Sequence, residues 1–134
     1  MVTTSSGSKD LLGKSAIFVP PDDSVYLFSN FTMRLRTNTE INYDYLYFYM
    51  QSPEAKSVLQ LIQDTTTGLR NLDRKEFSNQ LIPLPPLKAQ QHMVIELKEK
   101  MAQVENLQSA IYKQQLELNV LPQAILRKAF MREL

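Results

Sequence analysis

The sequence predicts an α+β fold, in which a small mixed α/β domain over residues 1–85 is followed by a long, coiled-coil-type helix over residues 86–134. Composition changes near Pro85 and Pro86, because the first 84 residues hold all 3 glycines and five of the 6 phenylalanines. Short apolar runs alternate with turn residues before that point. After it, Gln, Lys, Leu and Glu dominate, and no Gly or Pro occurs between residues 87 and 121. This contrast predicts one sheet-containing domain and one helical segment.

Composition limits the classes of protein that this chain can be. Its 134 residues suit one compact domain, and a net charge of +1 excludes binding of nucleic acid through charge excess alone, leaving a local basic face open. The absence of cysteine excludes a disulfide framework and agrees with a cytoplasmic location. The first residues lack the apolar run of a signal peptide, and no stretch reaches the roughly 20 apolar residues of a membrane span. We therefore expect a soluble protein without a membrane partner.

Apolar runs in the first part of the chain predict its strands. Ser15–Val19 and Val25–Phe28 are two such runs, separated by a turn that contains two prolines. Residues 31–36 alternate, with apolar side chains at the odd positions and polar ones at the even positions, as in a half-buried strand. The polar face of this third strand carries Arg34 and Arg36, which either contact a ligand or pair with nearby carboxylates.

Capping residues predict the short helices. Asn42 is a candidate N-cap for a helix that runs through Met50. Ser52 followed by proline predicts a second helix through about Gln63, and Asp73 with Glu76 predicts a capping box for a third. Between and after these helices we expect a loop and a last strand, over Asp64–Gly68 and Leu81–Leu84 respectively.

A heptad pattern runs through the long helix from Leu87 to about Asn119 and predicts that one of its faces packs against another helix. We call this face the seam. Glutamines at positions 90, 108 and 115 would loosen its packing or fix its register against the other helix. The alternative is that the apolar stripe folds back on the amino-terminal domain. Pro122 should interrupt the helix and leave a short terminal helix over Ala124–Phe130. The predicted helix-interface residues are Leu87, Val94, Leu97, Met101, Val104, Ile111 and Leu118.

Residues that could carry catalysis are scarce, so we predict no catalytic site, no metal site and no cofactor. The single histidine, His92, falls inside the long helix, and the 3 glycines form no phosphate-binding pattern. Asp22 followed by Glu54-Ala55-Lys56 imitates a nuclease motif. However, that motif needs a strand, where residues two apart share a face, and this one lies in a predicted helix.

The segment Leu81–Gln90, which runs through two prolines directly into a long helix, resembles the DNA-specificity (S) subunits of type I restriction-modification systems. Leu121–Leu134 is similar to the terminal Leu-rich segment of that family, and Leu12–Ile17 is similar to the second half of its recognition domain. Ala89 and the Met131-Arg132 pair depart from the family pattern. The family's domain begins with further strands, so we expect the chain to correspond to the carboxy-terminal part of an S subunit.

The resemblance implies a target recognition domain that reads half of a bipartite site on double-stranded DNA. It also implies that the long helix sets the spacing of half-sites and docks the methylation (M) and restriction (R) subunits, which would supply all catalysis. The helix would pair with a second copy or with another S-subunit helix. An alternative is a truncated assembly or dimerisation module without DNA binding.

Polar loops on a sheet can present side chains to base edges while cations hold phosphates. The ordinary alternative for such residues is a role in forming loops or a solvated surface. The candidate DNA-binding residues fall before the first predicted strand and in the mid-domain loop, and they are Ser6, Ser8, Lys9, Lys14, Thr66, Thr67, Arg70 and Asn71.

Overall fold

A computed structural model describes residues 1–66 and 69–131, with side chains described outside positions 9, 64–66 and 69. The fold is α+β, as predicted, and it forms two compact units, Met1–Val94 and Ile95–Leu134. The strands are β1 (Val2–Thr3), β2 (Ser5–Ser6), β3 (Thr32–Met33), β4 (Gln63–Thr66) and β5 (Leu69–Leu72). The helices are α1 (Tyr43–Gln51), α2 (Pro53–Leu61), α3 (Arg74–Ser78) and α4 (Leu87–Phe130), with a 3₁₀ turn at Lys9–Leu11.

Two small antiparallel sheets form within the amino-terminal unit. One pairs β1 with β3, and the other has the strand order β2-β5-β4. Thr4 separates β1 from β2, so a single short segment of chain contributes to both sheets. The backbone N–H of Leu72 donates to the carbonyl of Thr4 at 2.8 Å, which continues the pairing of β5 beyond β2.

Most of the apolar runs predicted as strands do not form them. Within Ser15–Val19, pairing is limited to an isolated bridge from Ser15 to Val2 and two backbone hydrogen bonds between Ala16 and Met1. Val25–Phe28 forms no strand. The strand predicted at 31–36 is reduced to Thr32–Met33. Pro20 and Pro21 lack N–H donors for a ladder, and the side chains of the following run are exposed. Hydrophobicity alone therefore misassigned these segments.

The predicted helix starts are confirmed, because each is fixed by a side chain next to the backbone that it caps. The Asn42 side chain accepts hydrogen bonds from two backbone amides of α1, and the Ser52 side chain accepts one from Ala55. The Asp73 side chain caps α3 in the same way. In a complete capping box, the Glu76 side chain would accept a hydrogen bond from the N–H of Asp73. Here that N–H donates to the carbonyl of Ile62 instead, at 3.1 Å.

Two further expectations fail around β4 and before α4. The predicted loop at 64–68 is wrong for 64–66, which belong to β4 and pair with β5, while 67–68 lie outside the described residues. The segment Leu81–Leu84 forms no strand. It is held through a side chain instead, since the Tyr45 hydroxyl donates to the carbonyl of Pro83 at 2.8 Å. Burial raises the pKa of Tyr45, so the phenol stays protonated as that donor.

The core lies where the two sheets meet α1 and α2. It consists of Val2, Leu12, Met50, Leu59 and Leu72, with Leu35, Leu46, Ile62 and Phe77 partly buried against it.

The long helix α4 differs from its prediction at both ends. It continues through Pro122 to Phe130, so the predicted break and separate terminal helix are wrong. At its start, Gln90 is completely buried and its amide makes three hydrogen bonds within the amino-terminal unit. Gln90 therefore does not loosen or register a seam with another helix. It fastens the first turns of α4 to the residues before α1.

Candidate nucleic-acid interface

The sheet β2-β5-β4 brings together two segments that the sequence singled out separately. Ser6 on β2 is the register partner of Arg70 on β5, and Asn71 is the partner of Ser5. Directly paired residues project from the same face of an antiparallel sheet. Leu72 projects from the same face as Arg70 and is buried, so Ser6 and Arg70 lie where that face leaves the core. A hydroxyl-bearing residue and an arginine are thus neighbours on one face of the sheet.

The chain after β2 adds further polar groups near this pair. The Ser6 hydroxyl accepts a hydrogen bond from the N–H of Ser8 at 3.1 Å, which fixes the turn. Ser8 is exposed, and its side chain makes no capping hydrogen bond to the 3₁₀ turn that comes next. Its hydroxyl is therefore accessible from solvent. The side chain of Lys9 lies outside the part of the chain that the structure describes.

Lys14 sits beside β1, where its carbonyl accepts the N–H of Thr3 at 2.9 Å and its side chain is exposed. Its position depends on Gly13, which has a φ of 77° and whose N–H donates to the carbonyl of Thr3 at 2.9 Å. The glycine turns the chain sharply before Lys14. Of the remaining candidates, Thr66 ends β4 with its side chain outside the described set, and Thr67 lies wholly outside it.

Pairing of the two arginines of the alternating segment with carboxylates, one of the two predicted alternatives, is not found among the residues that the structure describes. Arg34 lies over the ring of Phe28, with its guanidinium carbon 5.8 Å from the ring centroid. No ion pair involves Arg34 or Arg36 within the residues that the structure describes. Both guanidiniums are therefore available to an anion.

The residues that imitate a nuclease motif do not converge. Glu54 and Lys56 lie in the first turns of α2, where residues two apart point in different directions. Asp22 instead accepts a hydrogen bond from the Tyr26 hydroxyl at 2.7 Å, and this bond holds the pKa of Asp22 below its ordinary value. Across the described ranges, no cluster of three or more His, Asp or Glu side chains has the arrangement of a metal site.

The predicted helix-interface residues fall into two groups. Val94 is buried in the amino-terminal unit, with 5% of its surface exposed. The other six are all exposed, from 37% at Leu97 to 63% at Leu118. The exposed group consists of Leu87, Leu97, Met101, Val104, Ile111 and Leu118.

None of the helices among the described residues combines the length and apolarity needed to cross a bilayer.

Sequence reasoning missed two features of this unit. The heptad pattern places Gln90 in the seam, whereas the structure places it in an internal contact. Its position in the first turn of a helix, just after a Pro-Pro-Leu sequence, is the signal that could have indicated this contact. Arg74 was not singled out, because it lies within a capping sequence that explains its surroundings without reference to its charge. Only the fold brings Arg74 near Arg34, since the two line one indentation of the surface.

Comparisons with known proteins identify the family of the chain. The family model described as the type I restriction modification DNA specificity domain matches residues 2–118. The chain is 25% identical over its whole length to the type I restriction enzyme EcoKI specificity subunit of Escherichia coli (strain K12), of which it spans 29%. No solved structure matches the chain. Because the family model covers most of the chain, this protein belongs to the type I restriction modification DNA specificity domain family.

Proposed function

We propose that this chain reads a half-site of double-stranded DNA as part of a type I specificity subunit and performs no catalysis itself. The observation that carries the proposal is the register of β2 with β5, which sets Ser6 opposite Arg70. Those residues come from segments more than 60 positions apart, and both were candidates on chemical grounds. Methylation and cleavage would belong to M and R subunits, and a chain that reads cellular DNA would work in the cytoplasm.

The chemistry of this surface suits DNA. Ser8 offers a short polar group for base edges, and Arg70 and Lys14 offer cations for phosphates or for guanine. Asn71 follows Arg70 on β5 and so projects from the other face of the sheet. A near-neutral chain cannot hold DNA by total charge, so its affinity must come from such local groups. A sheet is a suitable support because its side chains are held at fixed spacing, which reduces the entropy lost on binding.

Fluorescence-anisotropy titrations with randomised duplex DNA over a series of salt concentrations test this proposal. We expect binding that weakens with salt, and enrichment of one sequence after selection from the random pool. Arg70→Ala should weaken binding or relax selectivity, whereas Lys56→Ala, which removes an exposed cation from α2, should change neither. Absence of binding up to high micromolar protein would contradict the DNA-reading function.

A second function, assembly, is favoured by the exposed apolar residues of α4. A helix with this many exposed aliphatic side chains is typical of one that buries them against a partner. We propose that the partner is a second copy of the chain or another S-subunit helix, and that M and R subunits dock on the same helix. These roles are compatible with DNA reading, because they use different units of the chain.

The double variant Val104→Asp with Ile111→Asp tests the assembly role. It introduces two charges at seam positions and should abolish association, measured as mass by light scattering, without unfolding the amino-terminal unit. The matched control is Gln103→Asp with Asn106→Asp, which adds the same charge on the opposite side of the heptad and should leave the mass unchanged. An unchanged mass for both variants would contradict the seam assignment.

A further inference from the structure

A shallow indentation of about 420 Å³ lies on the amino-terminal unit beside β3. Two arginines, Arg34 and Arg74, are among the residues that line it, together with the polar residues Ser29, Asn30 and Thr32. No Asp or Glu is among its lining residues. Two cationic residues on one indentation without a carboxylate repel each other, and an anion bound between them would relieve that repulsion. The indentation is therefore electrostatically suited to an anionic ligand.

The groups around the indentation are held in place before any ligand binds. Stacking on Phe28 restricts the guanidinium of Arg34, so less side-chain entropy is lost when it pairs with an anion. The Thr32 hydroxyl donates to the carbonyl of Ser29 at 2.8 Å, and the N–H of Phe31 donates to the Ser29 hydroxyl at 3.1 Å. These bonds fix the turn that forms one side of the indentation.

Backbone hydrogen bonds connect this indentation to the surface that carries Ser6 and Arg70. The N–H of Thr4 donates to the carbonyl of Phe31 at 2.8 Å, and the N–H of Leu72 donates to the carbonyl of Thr4 at 2.8 Å. Arg70 and Arg74 lie two residues to either side of Leu72. Arg70 lies in β5 and Arg74 begins α3, so one short stretch of chain carries a cation of each surface.

We propose that Arg34 and Arg74 bind phosphodiester groups of the DNA backbone, in a site separate from the residues that face the bases. The inference rests on the proposed DNA-reading function and adds an anchor to it. The planar guanidinium forms two parallel hydrogen bonds to phosphate oxygens, which fixes orientation as well as adding affinity. Such contacts set the register of the protein on the duplex without distinguishing sequences.

The test is a salt series of anisotropy titrations of the full chain with random and selected duplexes. Arg34→Ala with Arg74→Ala should lower the slope of log affinity against log salt by about 1 for each phosphate that the variant no longer neutralises. The fall in affinity should be the same for both duplexes. Arg34→Lys with Arg74→Lys keeps both charges and should keep the slope. Lys56→Ala with Lys88→Ala removes two exposed cations outside the indentation and should also keep it.

The outcomes separate this inference from the function on which it rests. If the unmodified chain binds DNA and the double alanine variant keeps its slope, the phosphate site is wrong and the DNA-reading function stands. A larger fall in affinity for the selected duplex than for the random one would also overturn the proposal, because it would make these arginines base readers. If the unmodified chain binds no DNA, both proposals fail. Circular dichroism of each variant confirms that a changed slope does not come from unfolding.

Discussion

At the scale of single residues, Gly13 is a position where the backbone tolerates little change. Its φ of 77° is strained for any residue with a side chain, and a Cβ there would lie 2.6 Å from Cδ1 of Leu59 in the core. We expect Gly13→Ala to lower the free energy of unfolding by roughly 1–3 kcal/mol. Gly7→Ala is the matched control, since nothing lies within 4 Å of a Cβ at that site. Urea unfolding measures both, and equal stabilities would contradict the importance of the turn before Lys14.

Gln90 shows how one amide can join the residues before α1 to the start of α4. Its Oε1 accepts the N–H of Asn42 at 2.9 Å, and its Nε2 donates to the carbonyls of Glu40 and Pro85 at 2.9 and 2.8 Å. Gln90→Ala leaves these backbone groups without their partner, so it should lower the free energy of unfolding by roughly 2–3 kcal/mol. Exposed Gln91 is the matched control, and its replacement by alanine should be nearly neutral. A thermal melt that does not distinguish the two variants would contradict the role assigned to Gln90.

At the scale of elements, the sequence predicted the helices better than the strands, and the reason is physical. The caps Asn42, Ser52 and Asp73 act on amides two or three residues away, so a local pattern contains the information. The pairing of Ser6 with Arg70 joins residues that are distant in sequence, and no local pattern specifies such a register. The same limit applies to the site: residue type identified Ser6 and Arg70 as candidates, but only the fold made them neighbours.

Pro122 is the position where local reasoning about a helix failed, because α4 continues through it. Proline has no N–H for the carbonyl four residues before it, and this costs about 3 kcal/mol in a helix interior. Pro122→Ala should therefore increase the protection of nearby amides from hydrogen exchange. Gln123→Ala, at the next and also exposed position, should leave exchange in the same region almost unchanged. Equal exchange in the two variants would mean that Pro122 does not weaken α4.

At the scale of the whole molecule, the change of composition at Pro85 and the division of the compact units do not coincide. Composition separates residues 1–85 from 86–134, whereas the packing divides the chain after Val94. The difference arises because the first turns of α4 supply buried groups to the amino-terminal unit, Gln90 and Val94. One continuous helix therefore has two roles. Its start completes the unit that carries the candidate DNA surface, and its remainder exposes the apolar side chains proposed for assembly.

Two truncated chains test this division of roles. Residues 1–97 keep Gln90 and Val94, so this chain should retain a cooperative unfolding transition and the DNA affinity proposed for the amino-terminal unit, while losing association by light scattering. Residues 1–86 lack both buried side chains, so the carbonyls of Glu40 and Pro85 lose their donor and the chain should unfold at lower denaturant or lack a cooperative transition. Equal stability of the two chains would show that the amino-terminal unit folds without α4. Loss of DNA binding in the folded 1–97 chain would show instead that binding requires the dimer, because two half-sites held together gain affinity through effective concentration.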